Sequence, residues 1–431
     1  MNFEEICRRK LISAEKAASL IRSHSRIYLG GGAGVPLTLE TALVDRASDL
    51  EGVEVMSVLT FSGGEYLDRR LQKSFRHRAL FLGQNAREAV KEGRADYTPI
   101  FLSEIPALFR GGQFPIDVAM VQISPPDEHG FCSFGIEVGV TKPAAESARL
   151  IIAEINSQMP RVLGDSFIHL SRIDHIVRVD YPLPEAPQGG YSDAHVKIAE
   201  FIAELIPDGA TLQVGIGSIP DAVLLQLEGK RDLGIHSELF SDGVVDLVEK
   251  GVITNEKKTL HRGKIIAGFL FGSKKLYDFV NNNAMIELHP TDYVNDPYII
   301  AQNENMIAIN SAIEIDLSGQ VCADSMGTQF FSGIGGQVDF VRGAKRSKGG
   351  KAIIAFPSTA KNGAVSRIVA NLTPGAGVVT SRGDVHIIVT EYGVANLHGK
   401  SVRERARLLI DIAHPDFREK LKEAAQNMHW I

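Results

Sequence analysis

Cysteine is scarce: Cys7, Cys132 and Cys322 are the only three in 431 residues, they have no metal-ligand spacing, and an odd number cannot form a fully paired disulfide set. A reducing compartment is therefore expected, and the cytoplasm is the simplest one. Basic excess is lacking too, since 46 Lys and Arg stand against 52 Asp and Glu for a net charge of -6. A dedicated nucleic-acid binder needs the opposite balance on at least one face, so any polyanion bound here must be bound locally. No apolar run approaches the ~18 residues of a membrane span. The segment Met1–Cys7 carries acids where a secretory signal needs a basic region.

What is present is alternation. Runs rich in Val and Ile recur between segments of helical period, which is the pattern of parallel sheets covered by helices. Strands are expected at 26–29, 53–59, 79–82, 117–123 and 150–155, then at 211–214, 265–270, 306–310, 351–355 and 385–390. Helices are expected at 38–47, 86–91, 144–149 and 221–227, and over 402–412 and 416–426, the last two as an outer clasp. The one break in composition is Tyr181–Gly190, with three prolines and two glycines in ten residues. Neither helix nor strand interior tolerates that density. The chain is thus expected to form two open α/β domains of similar type, 1–186 and 187–431.

The two halves repeat a design. Gly32-Ala33-Gly34-Val35-Pro36 is followed by Val58-Leu59-Thr60-Phe61-Ser62-Gly63-Gly64; Gly215-Ile216-Gly217-Ser218-Ile219-Pro220 is followed by Gly234–Gly243, which contains Glu238. The second copy gains a carboxylate where the first has Leu59. An acid found in only one copy of a repeat is a candidate for chemistry, set against the plainer reading of a solvated Glu at a strand end.

Gln213-Val214-Gly215-Ile216-Gly217 is a strand running into a glycine turn, with Pro220 in the first turn of the helix beyond. Glycine permits close backbone approach and a helix N-terminus offers unpaired N–H groups. The turn could hold a dinucleotide, with an acid about 20 residues on for the ribose, although Pro220 replaces the third glycine of that fingerprint. It could equally be a bare strand-to-helix turn. Further on, Gly333, Gly335 and Gly336 form a cluster whose amides could converge on an oxyanion, or a flexible hairpin. The run Arg342–Lys351 places five cations in ten residues directly after it. It is either a solvated loop or a local phosphate site in which Lys351, at the start of an apolar strand, is best placed. Ser124–Gly130 holds Asp127 and His129 without a second ligand at metal spacing, so a rigid loop is expected there and no metal.

Taken together, these segments resemble the coenzyme A transferases of the acetyl-CoA hydrolase/transferase family, near its 4-hydroxybutyrate and butyryl-CoA:acetate members. The likeness runs through Ser124–Gly130, Glu154–Asn156, Gln213–Gly217, Gly234–Glu238, Asn310–Asp316, Gly333–Phe340 and Thr390–Gly393. It implies that Glu238 is the nucleophile that attacks an acyl-CoA thioester and ends as a glutamyl-CoA thioester. It also implies that Gln213, Val214, Gly215, Ile216 and Gly217 lie along CoA, that Asn310, Ile313 and Gly336 sit near its pantetheine arm, and that Lys351 meets its phosphates. An amide from Gly333–Gly336 would face the thioester oxygen. The acyl end would project toward Gly31, Gly32, Gly34, Ser62 and Gly63.

Coenzyme A would then be substrate and covalent intermediate, with no tightly bound cofactor and no metal or ATP, short-chain acids as the other partners, and a homodimer or larger homo-oligomer as the assembly. Because the glutamate must be ionised to attack, a pocket that raised its pKa would work against it. An acyl-CoA hydrolase shares every one of these motifs. A dinucleotide-binding oxidoreductase and a non-catalytic CoA-binding regulator are the more distant alternatives.

Overall fold

The run Arg-Ile-Tyr-Leu has no polar residue after its first, and in the computed structural model it is the innermost strand of a wholly parallel sheet, with Ile27, Tyr28 and Leu29 buried. The structure describes residues 3–187 and 189–431, so Met1, Asn2 and Gln188 of the expected connection lie outside it. Two compact units are present, one of residues 1–186 with 266–294, the other of 187–265 with 295–431. The expected division at 186/187 therefore needs a correction: residues 266–294 pack with the first unit, because Val138 and Gly139 donate to the Gly268 carbonyl and Thr291 donates back to Gly139.

In the first unit the sheet comprises β1 (Arg26–Leu29), β2 (Val53–Ser57), β3 (Phe75–Ala79), β4 (Ala95–Tyr97), β5 (Ile116–Ile123), β6 (Ala148–Asn156) and β7 (His175–Val179), in the order β4-β3-β2-β1-β5-β6-β7. Helix α1 (Leu37–Asp45) buries Leu39 and Leu43 against Ile27, Leu29 and Val55 on one face; α2 (Thr141–Ser147) places Ala144 in a smaller cluster with Tyr28, Met56 and Phe109. The strand expected at 79–82 lies earlier. Phe-Arg-His-Arg-Ala reads as charged, yet only one face of β3 is apolar, and Arg76 and Arg78 are held by Asp96 and Glu54. The helix expected at 144–149 ends at Ser147, where β6 begins.

The second unit repeats the arrangement. Its main parallel ladder uses β8 (Thr211–Val214), β9 (Gly234–Phe240), β10 (Met306–Asn310), β11 (Lys351–Ala355) and β12 (Ile387–Thr390), with β13 (Gly393–Asn396) antiparallel at the edge, in the order β9-β8-β10-β11-β12-β13. In each unit the chain leaves its first strand in one direction and returns on the other side. The order reverses between β1 and β5, and again between β8 and β10, which are the places where open sheets of this class bind ligands at their carboxyl ends. Helices α3 (Asp193–Leu205), α4 (Ser218–Leu225) and α5 (Gln337–Arg346) cover this sheet. The C-terminal helices α6 (Val402–Asp411) and α7 (Pro415–Asn427) do more than clasp, because Leu409, Ile410, Leu421 and Ala425 join Ile354, Ile388 and Ala395 in one buried cluster. No helix among the described residues is long and apolar enough to cross a membrane.

Candidate active site

The site grows from the carboxyl end of β9. The ladder between β8 and β9 pairs Thr211 with Gly234 and Leu212 with Ile235 and then stops. Beyond it a side chain takes over: the Ser237 hydroxyl donates to the Val214 carbonyl at 2.9 Å and accepts from the Val214 N–H at 3.2 Å. This brace fixes the backbone one residue before Glu238. Ile27 and Thr211 each open the ladder to the strand on the other side, and they pair with Val55 and Gly234, so counting four residues on brings Glu238 to the place of Leu59. The residue remains apolar in the first copy.

Glu238 is partly buried, and its carboxylate is held by two donors. Asn295 Nδ2 donates to Oε2 at 3.0 Å, and the Gly336 N–H donates to the same carboxylate. Gly336 is the N-cap of α5, so its amide belongs to the positive end of that helix. Burial pushes the Glu238 pKa up to about 7, with the Asn295 and Gly336 hydrogen bonds pulling the other way. The pocket thus does raise this pKa, which was expected to work against the attack. The group stands near half-ionised at neutral pH, which keeps an anion available while making it more basic than an exposed glutamate. The Gly336 amide, expected at a thioester oxygen, is engaged by the carboxylate itself. Gly335 beside it has φ +58, a left-handed conformation that aims the loop and favours glycine. Gly333 is buried in the same turn.

Around this carboxylate the other expected residues divide into those the fold gathers and those it does not. Gln213 and Asn310 meet at the ends of β8 and β10, where Asn310 Nδ2 donates to Gln213 Oε1 at 3.2 Å and Gln213 Nε2 donates to the Ile309 carbonyl at 3.3 Å. Val214 carries the Ser237 brace. Gly215, Ile216 and Gly217 follow as the turn into α4, with Gly217 at φ +115, a conformation for glycine alone. Ile313 is half-buried and tied by its N–H to the Cys322 carbonyl at 2.9 Å.

Lys351 is elsewhere. It opens β11, so it lies at the amino end of the strands, and its Nζ donates to the Leu205 carbonyl at 2.6 Å. The expected phosphate contact does not fit that position. Most of the rest of the basic run is structural as well: Arg342, Lys345 and Arg346 fall in the second half of α5, where cations suit the helix C-terminus, and Arg342 pairs with Asp384 at 3.2 Å.

In the first unit, Gly31, Gly32 and Gly34 form a buried turn that closes on Glu137. A Cβ on Gly34 would stand 3.1 Å from Glu137 Cβ, and one on Gly31 would stand 3.1 Å from the Leu59 carbonyl. Burial raises the Glu137 pKa to about 8 against hydrogen bonds from the Val140 and Gly31 amides. Ser62 donates to Glu40 Oε1 at 3.0 Å. Gly63 is exposed and lines an open groove with Gly64, Asn85 and Arg69. The loop Ser124–Gly130 is a rigid turn, as expected, with Asp127 Oδ1 accepting from the His129 and Phe131 amides and Asp127 paired to Arg161 at 2.8 Å.

Comparison with known proteins bears on what this geometry is for. Residues 1–184 match the acetyl-CoA hydrolase/transferase N-terminal domain and residues 272–425 match the C-terminal domain. The chain belongs to the acetyl-CoA hydrolase/transferase family. Within the family it is 56% identical to the 4-hydroxybutyrate coenzyme A transferase of Clostridium kluyveri over 421 residues, covering 98% of each chain. It is 38% identical to the butyryl-CoA:acetate CoA-transferase of Anaerostipes caccae, covering 100% of this chain and 99% of the relative. A crystal structure of 4-hydroxybutyrate CoA-transferase from Porphyromonas gingivalis superposes with a TM-score of 0.86 at 43% identity, over 99% of this chain and 100% of the other. Both of these curated relatives are CoA-transferases by name, and the dinucleotide reading of the Gly215 turn has no support in these matches.

Asn295 was missed from sequence. It sits in Tyr293-Val294-Asn295-Asp296 with no motif around it, and only the fold brings it to Glu238.

Proposed function

We propose that the protein is a CoA-transferase that exchanges CoA between a short-chain acyl-CoA, 4-hydroxybutyryl-CoA or butyryl-CoA, and a carboxylic acid such as acetate, with Glu238 as the covalent nucleophile. The observation that carries this reading is the Glu238 carboxylate held in place by two donors, the Asn295 side chain at Oε2 and the Gly336 N–H. Attack of a carboxylate oxygen on the thioester carbon forms an acyl-glutamyl anhydride and expels CoA as thiolate. The thiolate then attacks the glutamyl carbonyl carbon and displaces the acyl carboxylate. In that step negative charge develops on the glutamyl oxygen, and Asn295 Nδ2 and the Gly336 N–H are already in position to stabilise it; one such donor is worth about 3–4 kcal/mol in acyl transfer. A second acid runs the sequence in reverse. One thioester replaces another, so the exchange is near balance and calls for no ATP.

The acyl pair and a homo-oligomeric assembly are proposed by likeness to the relatives, and a cytoplasmic setting from the three cysteines, none of them in a disulfide. The test is chemical. Incubated with acyl-CoA and no acceptor, wild-type protein should gain the mass of one CoA per active subunit under denaturing conditions, the adduct should map to Glu238, and initial rates should be ping-pong. An unchanged protein mass with intersecting rate lines would remove the covalent mechanism. Acceptor-independent release of CoA at the full rate would instead favour the hydrolase.

A further inference from the structure

With Lys351 at the far end of the sheet, the second unit has a different cationic feature at the correct end. A cleft of about 360 Å³ opens at the carboxyl ends of β8 and β10, lined by the Gly215–Pro220 turn, Asn310, Ser311, Pro357, His195 and Arg367. The chain reaches Arg367 by leaving β11 at Phe356 and turning through the short hairpin of Thr359–Ala360 and Val365–Ser366, after which the Arg367 N–H returns to the Ser358 carbonyl at 2.8 Å. That path keeps the guanidinium on the side of the sheet where Gly215 and Asn310 lie.

Arg367 is underused by the protein. It is half-buried, and among the described residues its side chain makes one long hydrogen bond, from Nη1 to the Ala312 carbonyl at 3.4 Å, and no ion pair. A guanidinium carries five N–H donors and does not deprotonate, so most of them have no protein acceptor. Glu391 is the carboxylate that acts on it electrostatically, but both Glu391 oxygens are taken, by the Ser358 amide at 2.7 Å and the Ser358 hydroxyl at 2.8 Å. His195 adds a second donor. Its Nδ1 accepts from the Ser192 N–H at 3.1 Å in the capping box of α3, which leaves the proton on Nε2. Burial and then the Arg367 charge pull the His195 pKa below the usual imidazole value, with Glu391 acting the other way. The Ser218 and Ile219 amides, which open α4 and have no intrahelical acceptor, complete a donor-lined wall.

We propose that Arg367 and His195 seat a phosphate group of the CoA nucleotide in this cleft. The inference rests on the CoA-transferase reading and names the residues that do what the sequence assigned to Lys351. A planar fork of N–H groups matches phosphate oxygens two at a time, and partial burial shields the contact from salt. The pantetheine arm then leads from the seat past Gly215 and Asn310 toward the glutamate.

Calorimetric titration of the full-length protein with free CoA, and separately with pantetheine, tests this without requiring turnover. Arg367→Gln should weaken CoA binding about ten- to a hundredfold, the loss expected for a charged hydrogen-bonded contact. Arg367→Lys should recover part of the loss, His195→Gln should show a smaller one, and pantetheine should bind every variant as it binds wild type. Dephospho-CoA distinguishes the sources: a defect that persists with it assigns the seat to the diphosphate, and one that disappears assigns it to the 3′-phosphate. CoA binding unchanged in Arg367→Gln, an equal loss for pantetheine, or no CoA binding by wild type would each overturn the proposal. A wild-type protein that binds CoA through Arg367 yet never forms the adduct would sink the transferase mechanism and leave the seat standing.

Discussion

Gly336 lies so close to Glu238 that a Cβ placed on it would stand 2.0 Å from Glu238 Oε2 and 2.1 Å from Asn295 Nδ2. A contact under 3 Å has no van der Waals solution, so a side chain at that position must displace the carboxylate or the Asn295 amide.

Gly336→Ala should therefore cost activity out of proportion to its size. The methyl group must push Glu238 or Asn295 aside by about 1 Å, and misplacement on that scale costs ~100-fold. Exchange rate and circular dichroism measured together check this: a loss below tenfold with native ellipticity would mean that the loop yields.

Asn295→Ala removes one of the two donors to the Glu238 carboxylate. Because that hydrogen bond holds the Glu238 pKa down, its loss should raise the pKa further, and the rate should fall by about 10²–10³ at neutral pH. The pH–rate profile should move to higher pH. A reduced rate with an unmoved profile would show that Asn295 acts on position alone.

In the wild type the ascending limb of kcat/KM should reflect a pKa of about 7. The reactive form is the anion, so the rate should rise with pH through that range and level off above it. A limb centred near 4.5 would show that the carboxylate is solvated in the free enzyme.

Stability should run the other way. Burial raises Glu40 and Glu154 to about 7 and Glu137 to about 8, so between pH 4.5 and 8 the folded chain binds more protons than the unfolded one. Stability then falls as pH rises through that window. The Tm should be higher at pH 5 than at pH 8, and Glu137→Gln should narrow the gap, as differential scanning fluorimetry can measure.

Lys351→Ala should leave the KM for acyl-CoA within about twofold and lower the Tm instead, since the ammonium serves the Leu205 carbonyl. A large rise in KM with unchanged stability would restore the lysine to the CoA site.

Much of this was legible in the sequence because strands buried on both faces announce themselves. The runs at 26–29, 211–214, 306–310 and 351–355 coincide with β1, β8, β10 and β11. Where charge sits on one face of a strand, as in Phe75–Ala79, the pattern hides it. Glu238 was legible because its apolar counterpart occurs in the same chain. Lys351 was misread for the opposite reason: a run of cations looks alike in one dimension whether it marks a ligand or the end of a helix, and only the polarity of the strands separates the two. Asn295 and Arg367 carry no local signature, because their partners come from distant parts of the chain.

The brace between Ser237 and Val214 carries a consequence for how such a centre can arise. Where a strand is secured by its own hydroxyl, the next residue makes no ladder pair with β8, and its side chain is free to vary. A two-copy ancestor could have tried an acid there in one copy while the other stayed inert. The same tolerance means that proteins altered at position 238 should assemble normally and fail only at the reaction, which makes them dependable inactive counterparts for structural work with bound substrate.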